Sequence, residues 1–189
     1  MPNAQRTNAD GQRLTDLFRQ HGDAVFAYAR DRLGPEDARD VVAEVFAVAW
    51  RRLESIKHGQ ERPWLFGVAR RLMMQQWRDR AGQTALHVRL HCQAGPGDGE
   101  HFAPAAVQRA DVLAALDALP EGDREVLLLR YWYDFSGRES AGVLGCTAAA
   151  FAVRLHRARR RFEQVYGRRS GEPKPSATGS VPAYTRGLQ

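Results

Sequence analysis

Arginine side chains are concentrated in one short stretch near the carboxyl end of the chain. Arg154, Arg157 and residues 159–161 stand close to only one carboxylate, that of Glu163. A guanidinium is always charged in proteins and makes paired hydrogen bonds to phosphate oxygens. A run of charge is usually a solvated helix face, but the sign here is unmixed, which favours contact with a polyanion. We therefore expect this stretch to bind phosphate groups.

Carboxylates form a separate cluster far away in the sequence. Asp37, Asp40 and Glu44 recur at positions i, i+3 and i+7, so they share one face of a helix. The following helical segment reverses the sign, with five arginines between residues 62 and 80 against the single Asp79. The chain as a whole carries 28 Lys and Arg, 22 Asp and Glu, and a net charge of +6. Charge sorted in this way predicts two basic surfaces and one acidic surface.

Residues 87–92, HVRLHC, contain side chains that often bind metals. His87 and His91 lie four residues apart beside Cys92, a spacing that would let two histidines share a metal ion on a helix. A fourth ligand is not evident, so we expect no metal and no cofactor. The sequence contains no phosphate-binding loop, nucleophile elbow or HExxH pattern. These observations predict a binding protein and not an enzyme.

Cysteine usage and hydropathy indicate the compartment. The two cysteines, Cys92 and Cys146, lack CxxC spacing and do not form a disulfide framework. The first residues, MPNAQRTNADGQR, lack the apolar segment of a secretory signal, and no apolar run reaches membrane-spanning length. We expect a cytoplasmic protein without membrane insertion.

The elements that must position these residues are predicted to be helices throughout. Apolar residues recur at helical spacing in two blocks, and no alternating strand pattern occurs. The predicted fold class is all-α, with two small helical domains joined by a flexible linker. The predicted organisation is a disordered lead at 1–12, a first domain at 13–80, a linker at 81–108, a second domain at 109–166 and a disordered tail at 167–189.

The second domain carries the signals of a helix-turn-helix. Ser136 is a suitable cap for the first helix, and Gly145 suits the turn because glycine adopts positive φ without penalty. Thr147 is placed to cap the second helix. We expect Val153 and Leu155 to pack that second helix back onto the unit, which leaves its arginines facing outwards.

These motifs together resemble a known family. The segment LPEGDREVLLLRYWYDFSGRESAGVLGCTAAAFAVRLHRARRRF is similar to region 4 of bacterial extracytoplasmic-function (ECF) sigma factors. The segments LFRQHGDAVFAYARDRL, GPEDARDVVAEVFAVAWRRL and RPWLFGVARRL are similar to region 2 of the same family. The two blocks stand in the family's order. The resemblance implies a protein that binds core RNA polymerase and directs it to promoter DNA, with an anti-sigma factor as a further partner.

The resemblance also implies roles for individual residues. The residues implied to bind polymerase are Asp37, Asp40 and Glu44. Those implied to contact the minus-ten element, in part by capturing an unstacked base, are Lys57, His58, Gln60, Arg71, Gln75 and Arg78. Those implied to contact the minus-thirty-five element are Thr147, Arg154, His156, Arg157 and Arg160.

This chain departs from the family pattern at several of these positions. Arg71 stands where many members have Asn, and Ala152 stands where members usually carry Lys or Arg. Ala149 and Ala150 replace a Gly-Thr pair, and Ser140 replaces a bulky aliphatic residue. We expect fewer base contacts to the minus-thirty-five element than in related proteins.

A stand-alone helix-turn-helix regulator that binds duplex DNA is the alternative. The first block separates the two interpretations, because such a regulator needs neither an acidic polymerase-binding face nor a base-capturing loop.

Overall fold

The computed structural model describes residues 2–83 and 104–169, and it is helical in both ranges. The helices are α1 (Pro2–Leu33), α2 (Pro35–Arg51), α3 (Glu61–Gln83), α4 (Pro104–Asp117), α5 (Glu121–Leu127), α6 (Gly137–Leu144) and α7 (Ala148–Arg169). A 3₁₀ turn (Leu53–Ser55) precedes α3, and a π-helical turn (Leu128–Trp132) follows α5. No strand occurs in the two described ranges, so the all-α prediction is confirmed. Within them, no helix combines the length and apolar character that crossing a membrane requires.

Helices α1, α2 and α3 pack together as the first helical unit. Gly34, at a φ of 84°, ends α1, and Pro35 occupies the first position of α2, where its missing N–H costs nothing. The apolar face of α2 is buried, with Val41 and Val45 among its fully enclosed side chains. The boundary and the inward face of α2 therefore follow from the residue types in this stretch.

The amino end differs from the disordered lead expected at residues 1–12. Helix α1 begins at Pro2 and continues through those residues without a break. Alanine, glutamine and arginine in this stretch favour helix, and the packed part of α1 supplies the nucleus from which the helix extends. Arg13 links α1 to the segment between α2 and α3. Its guanidinium donates to the carbonyl oxygens of Leu53 at 3.1 Å and Ile56 at 2.7 Å.

The expected linker and tail are shorter in the structure than their predicted bounds. Residues 81–83 complete α3, residues 104–108 open α4, and residues 167–169 end α7. Each is a continuation of a helix whose packed part supplies the nucleus from which the helix extends. Residues 84–103, with the HVRLHC motif, and residues 170–189 lie outside the described ranges.

Helices α4 to α7 form the second helical unit, in which α5 is shorter than the apolar pattern predicts. The pattern indicates one helix through DREVLLLRYWYDF, but α5 ends at Leu127 and a π-helical turn takes its place. The amide of Tyr133 donates to the carbonyl of Leu128 at 2.9 Å, five residues back. This turn buries Tyr133 and Phe135 and leaves Trp132 67% exposed.

The helix-turn-helix of α6 and α7 has the predicted local chemistry. Ser136 and Glu139 form a reciprocal capping box at the start of α6, and Gly145 has the left-handed conformation at its end. Thr147 Oγ1 accepts from the amide of Ala150 at 3.1 Å, which caps α7. One prediction is wrong: Val153 is 51% exposed. The buried contact comes from Phe151, which is 1% exposed and packs beside Gly137.

The two units also pack against each other, with α3 lying on α6. Phe66 of α3 is fully buried, and its ring centroid lies 5.0 Å from those of both Tyr133 and Phe135 in the second unit. A single apolar cluster therefore runs through both units.

Candidate nucleic-acid interface

Helix α7 presents a basic outer face and an apolar inner face. Phe151 and Ala158 are buried, and Leu155 lies half-buried between them on the same side. Polar residues on the outer side of the helix are exposed: Arg154, His156, Arg157 and Arg160. Thr147 is exposed beside the turn that starts the helix. The structure thus gathers all five predicted minus-thirty-five residues onto one helix and its cap.

The remaining arginines of this cluster have partners within the second unit. Arg159 lies over the ring of Tyr131, with 5.2 Å between its guanidinium carbon and the ring centroid. Arg161 forms an ion pair with Asp123. These contacts hold both guanidiniums against the protein, so Arg154, Arg157 and Arg160 are better placed to reach an incoming duplex.

The loop before α3 exposes the predicted base-capturing residues. Ile56 is buried and anchors the loop, whereas Lys57, His58 and Gln60 are exposed. The amide of Gln60 donates to the carbonyl of Lys57 at 3.0 Å, and Gly59 takes a φ of 75° within this turn. The turn therefore projects the three side chains into solvent from a fixed base.

One side of α3 continues the surface that begins at this loop. Arg71, Gln75 and Arg78 are exposed and recur at helical spacing. The structure therefore groups the predicted minus-ten residues on the loop and the helix that follows it. Two tryptophans of α3 have the ring size for base stacking, but Trp64 packs partly buried against the core and Trp77 is half-buried.

The predicted acidic face lies on α2. Asp40 and Glu44 are exposed one turn apart, and Asp37 is half-buried. Glu44 pairs with Arg51 at 2.9 Å, an exposed ion pair that a protein partner can displace at low cost. The acidic face thus belongs to the first unit and to a different helix from the basic residues of α3.

A buried polar cluster was missed by sequence reasoning. Glu125 of α5 is only 7% exposed and accepts a hydrogen bond from the Tyr28 hydroxyl at 2.7 Å. The Arg70 Nε lies 3.1 Å from the other carboxylate oxygen. Glu125 stands in a charged segment typical of a solvated helix face, so no local signal in the sequence indicates its burial.

His21 is a buried titratable group near the loop that precedes α3. It lines a cavity with Gly59, Glu61, Arg62 and other residues at the junction of the units. Burial lowers the pKa of His21 below its ordinary value of 6.5, and the positive charge of Arg62 lowers it further, against an opposing contribution from Glu61. The folded protein therefore favours neutral His21.

Acidification is expected to destabilise the protein through His21. The unfolded chain takes up a proton as the pH falls through 6.5, whereas the folded chain does not until lower pH. The free energy of unfolding contributed by this group therefore decreases below about pH 6.5. Thermal melts followed by circular dichroism at about pH 7.5 and about pH 5.5 would measure the decrease.

Variants of one buried and one exposed histidine, His21 and His156, make this test specific. His21→Gln should show a smaller decrease in melting temperature between the two pH values than the parent chain. His156→Gln, at an exposed position, should match the parent. An unchanged pH dependence in His21→Gln would assign the effect to other groups.

Comparison with known proteins assigns both units. Residues 17–83 match the family model described as Sigma-70 region 2, and residues 109–162 match the one described as Sigma-70, region 4. The RNA polymerase sigma factor CnrH of Cupriavidus metallidurans is 31% identical over 174 residues, which cover 86% of this chain and 91% of CnrH. The ECF RNA polymerase sigma factor SigE of Mycolicibacterium smegmatis is 28% identical over 86% of this chain and 65% of SigE.

A solved structure agrees with this assignment. CnrH in complex with the cytosolic domain of CnrY aligns with a TM-score of 0.56 at 28% identity, covering 86% of this chain and 92% of that chain. Coverage of 86% of this chain requires that the match extends into both helical units. The chain therefore belongs to the sigma-70 family of RNA polymerase sigma factors, in its ECF group.

Proposed function

We propose that this sigma factor docks on core RNA polymerase through the acidic face of α2. The residues that carry the contact are Asp37, Asp40 and Glu44. Asp40 and Glu44 are exposed one turn apart on a protein whose net charge is +6. Such a local excess of negative charge steers a basic partner surface to this helix and orients it there. The bound polymerase, and not this chain, performs the chemistry of transcription, in the cytoplasm.

The loop before α3 is proposed to capture a base of the minus-ten element. Unstacking one base costs a few kcal/mol, which a pocket repays through stacking and hydrogen bonds to the base edge. Lys57, His58 and Gln60 offer donors and acceptors on the exposed side of the turn. Arg71, Gln75 and Arg78 then bind the strand along α3, with the arginines directed at phosphates.

Helix α7 is proposed to read the minus-thirty-five element in the major groove. Arg154, His156 and Arg157 lie about two to three turns beyond the Thr147 cap, where the helix faces base edges or the adjacent backbone. Arg160 and the exposed Thr147 contact phosphates at the two ends of this surface. The observation that carries the whole proposal is the exposure of both basic sets and the acidic face on one chain.

An anti-sigma factor is proposed as a further partner. The matched structure of CnrH was solved in complex with the cytosolic domain of CnrY. A protein that covers the proposed promoter-binding surfaces would hold this sigma factor inactive until it is released.

Run-off transcription with core polymerase and a promoter library tests the proposal. The chain should bind core polymerase and start transcripts from a subset of the library. A double charge reversal, Asp40→Arg with Glu44→Arg, should abolish recruitment to polymerase, whereas Asp23→Arg, at an exposed position of α1, should not. Failure of the parent chain both to bind core and to start transcripts contradicts the sigma-factor proposal.

The same experiment distinguishes a sigma factor from a stand-alone regulator. A regulator would bind duplex DNA with full specificity in the absence of core polymerase, and the reversal at Asp40 and Glu44 would leave that binding intact. The match of residues 17–83 to region 2 does not favour this alternative.

Restoring a basic side chain at position 152 is expected to tighten promoter binding. Ala152 is exposed on α7 one turn before His156, so Ala152→Arg places a guanidinium beside the proposed reading surface. One additional base contact is worth about 1 kcal/mol or more, roughly a fivefold gain in affinity. Fluorescence anisotropy with wild-type and scrambled minus-thirty-five sequences measures the gain.

The exposed Gln164, farther along α7, provides the control. Gln164→Arg adds the same charge away from the proposed base contacts, so it should change binding to both sequences equally. If Ala152→Arg also improves both equally, the added side chain contacts only the backbone; no gain at all means that position 152 does not face the duplex.

A further inference from the structure

The two helical units are joined by a buried polar cluster centred on Glu125. Its carboxylate belongs to the second unit and accepts from the Tyr28 hydroxyl at 2.7 Å and from the Arg70 Nε at 3.1 Å, both in the first unit. Two different helices of the first unit, α1 and α3, therefore converge on one side chain of α5. A buried carboxylate is stable only with such partners.

A second guanidinium completes this group, which we call the Glu125 cluster: Tyr28, Arg32, Arg70, Glu121 and Glu125. The Arg32 side chain is 4% exposed, its Nε lies 3.2 Å from Glu121 Oε1, and its Nη2 lies 3.8 Å from Glu125 Oε1. Two cations of the first unit thus face two anions of the second. Burial also raises the pKa of the Tyr28 hydroxyl well above its ordinary value, which keeps it a donor to Glu125.

Close backbone packing accompanies the cluster at the contact between α3 and α6. A Cβ atom on Gly67 would lie 3.8 Å from the Cα of Val143 and 3.9 Å from the carbonyl oxygen of Gly142. No other atom outside its own helix backbone and chain neighbours comes within 4 Å of that position in the described structure. The space at Gly67 is therefore closed by the other unit alone and not by the core of the first unit.

The closed arrangement also brings carboxylates to the base-capturing loop. Asp134 and Glu139 of the second unit line the same cavity as Gly59 and Arg62. The Arg62 guanidinium lies over the Phe135 ring at 4.7 Å, which holds this edge together. A DNA strand bound along the loop would bring its phosphates towards these two carboxylates, and like charges repel.

The dimensions of a promoter require the two units to separate. Elements centred near minus ten and minus thirty-five lie about 25 base pairs apart, which is about 85 Å of duplex at 3.4 Å per pair. A compact chain of 189 residues has a radius of gyration of about 16 Å. With α3 packed on α6, the surfaces proposed for the two elements cannot reach both sites together.

We propose that this sigma factor inhibits itself: the Glu125 cluster and the contact of α3 with α6 hold a closed state that must open before promoter binding. The inference rests on the proposed function, since the closed state is inhibitory only if the units read separate promoter elements. Only open molecules bind the promoter, so the apparent promoter affinity equals the affinity of the open form multiplied by the fraction of molecules that are open. Core polymerase shifts the equilibrium towards the open form by as much as it binds that form more tightly than the closed one.

A side chain wedged at Gly67 tests the closed state directly. Gly67→Leu should force α6 away because its branches meet the α6 backbone, whereas Gly67→Ala fits at ordinary contact distance and also favours helix. Small-angle scattering of the full chain should give a larger radius of gyration for the leucine variant and an unchanged one for the alanine variant. A parent chain already as extended as Gly67→Leu overturns the closed state.

Promoter affinity tests the inhibitory role. With a labelled promoter fragment recovered from the transcription library, Gly67→Leu should bind roughly tenfold more tightly than the parent, and Gly67→Ala should bind like the parent. Separation of the units without a gain in affinity overturns self-inhibition. If no variant starts transcripts with core polymerase, the proposed function fails, and scattering still decides whether the closed state exists.

Glu125→Gln is an independent variant that introduces no bulk. The amide keeps an acceptor for Tyr28 but removes the charge that Arg32 and Arg70 face. Glu125→Gln should increase both the radius of gyration and the promoter affinity, as Gly67→Leu does. A compact Glu125→Gln chain with parental affinity would exclude the cluster as the element that holds the units together.

Discussion

Replacing both Arg154 and Arg157 by alanine is expected to weaken binding to the minus-thirty-five element by about 2–6 kcal/mol, at least thirtyfold. Both side chains are exposed on the outer face of α7, about two to three turns past the Thr147 cap. A guanidinium paired with a guanine edge contributes about 1–3 kcal/mol, and removing one phosphate-binding arginine lowers the salt slope of binding by about 0.9. Anisotropy titrations over a salt series measure both quantities.

Arg161→Ala is the matched control for this double variant. Its guanidinium already pairs with Asp123, so removing it should reduce the affinity for duplex DNA less than removing an unpaired arginine. Its affinity should fall less than about fivefold, with little change in salt slope, because an engaged side chain makes at most a weak phosphate contact. If Arg161→Ala weakens binding as much as the double variant does, α7 attracts DNA only through its total charge and reads no bases.

Phe151→Ala is expected to unfold the second helical unit or leave it barely stable. The ring is 1% exposed and seats the first turn of α7 on the start of α6, beside Gly137. Truncating a buried phenylalanine costs about 3–5 kcal/mol. A domain of about 60 residues has a total stability of roughly 3–9 kcal/mol, so the cost is comparable with the whole.

Two measurements distinguish this effect from general misfolding. Thermal melts should no longer show the transition of the second unit, and recognition of the minus-thirty-five element should disappear, while the first unit still binds core polymerase. Val153→Ala, two residues away on the exposed side, should change stability by no more than about 0.5 kcal/mol. Equal destabilisation by the two variants would show that α7 is not oriented by Phe151.

The wrong assignment of Val153 contradicts the helical period. Phe151 and Leu155 lie four residues apart and share the inward face with Ala158, whereas Val153 lies on the other side of the helix. The period indicates which residues share a face, but the packing of α6 and α7 next to the π-helical turn is visible only in the structure. A π-helical turn has no strong sequence signature, so this part of the packing could not be predicted.

The locally encoded features were predicted correctly because their causes lie within a few residues. Ser136 caps α6 through hydrogen bonds exchanged with Glu139, three residues away, and Thr147 caps α7 in the same local way. The left-handed Gly145 follows in the same way. Charge sorting is likewise visible in the sequence, because no folding is needed to place arginines along a single helix.

The sequence by itself therefore determined an all-α chain, its helix-turn-helix and the positions of its charged faces. Only the tertiary structure decided that Glu125 is buried between Tyr28 and Arg70, 97 and 55 residues away. It also decided that Gly67 abuts Val143 and that the two units lie closed on each other. The physical reason is range: caps and turns depend on neighbours in sequence, whereas the burial of a charge depends on partners that only the folded chain brings together.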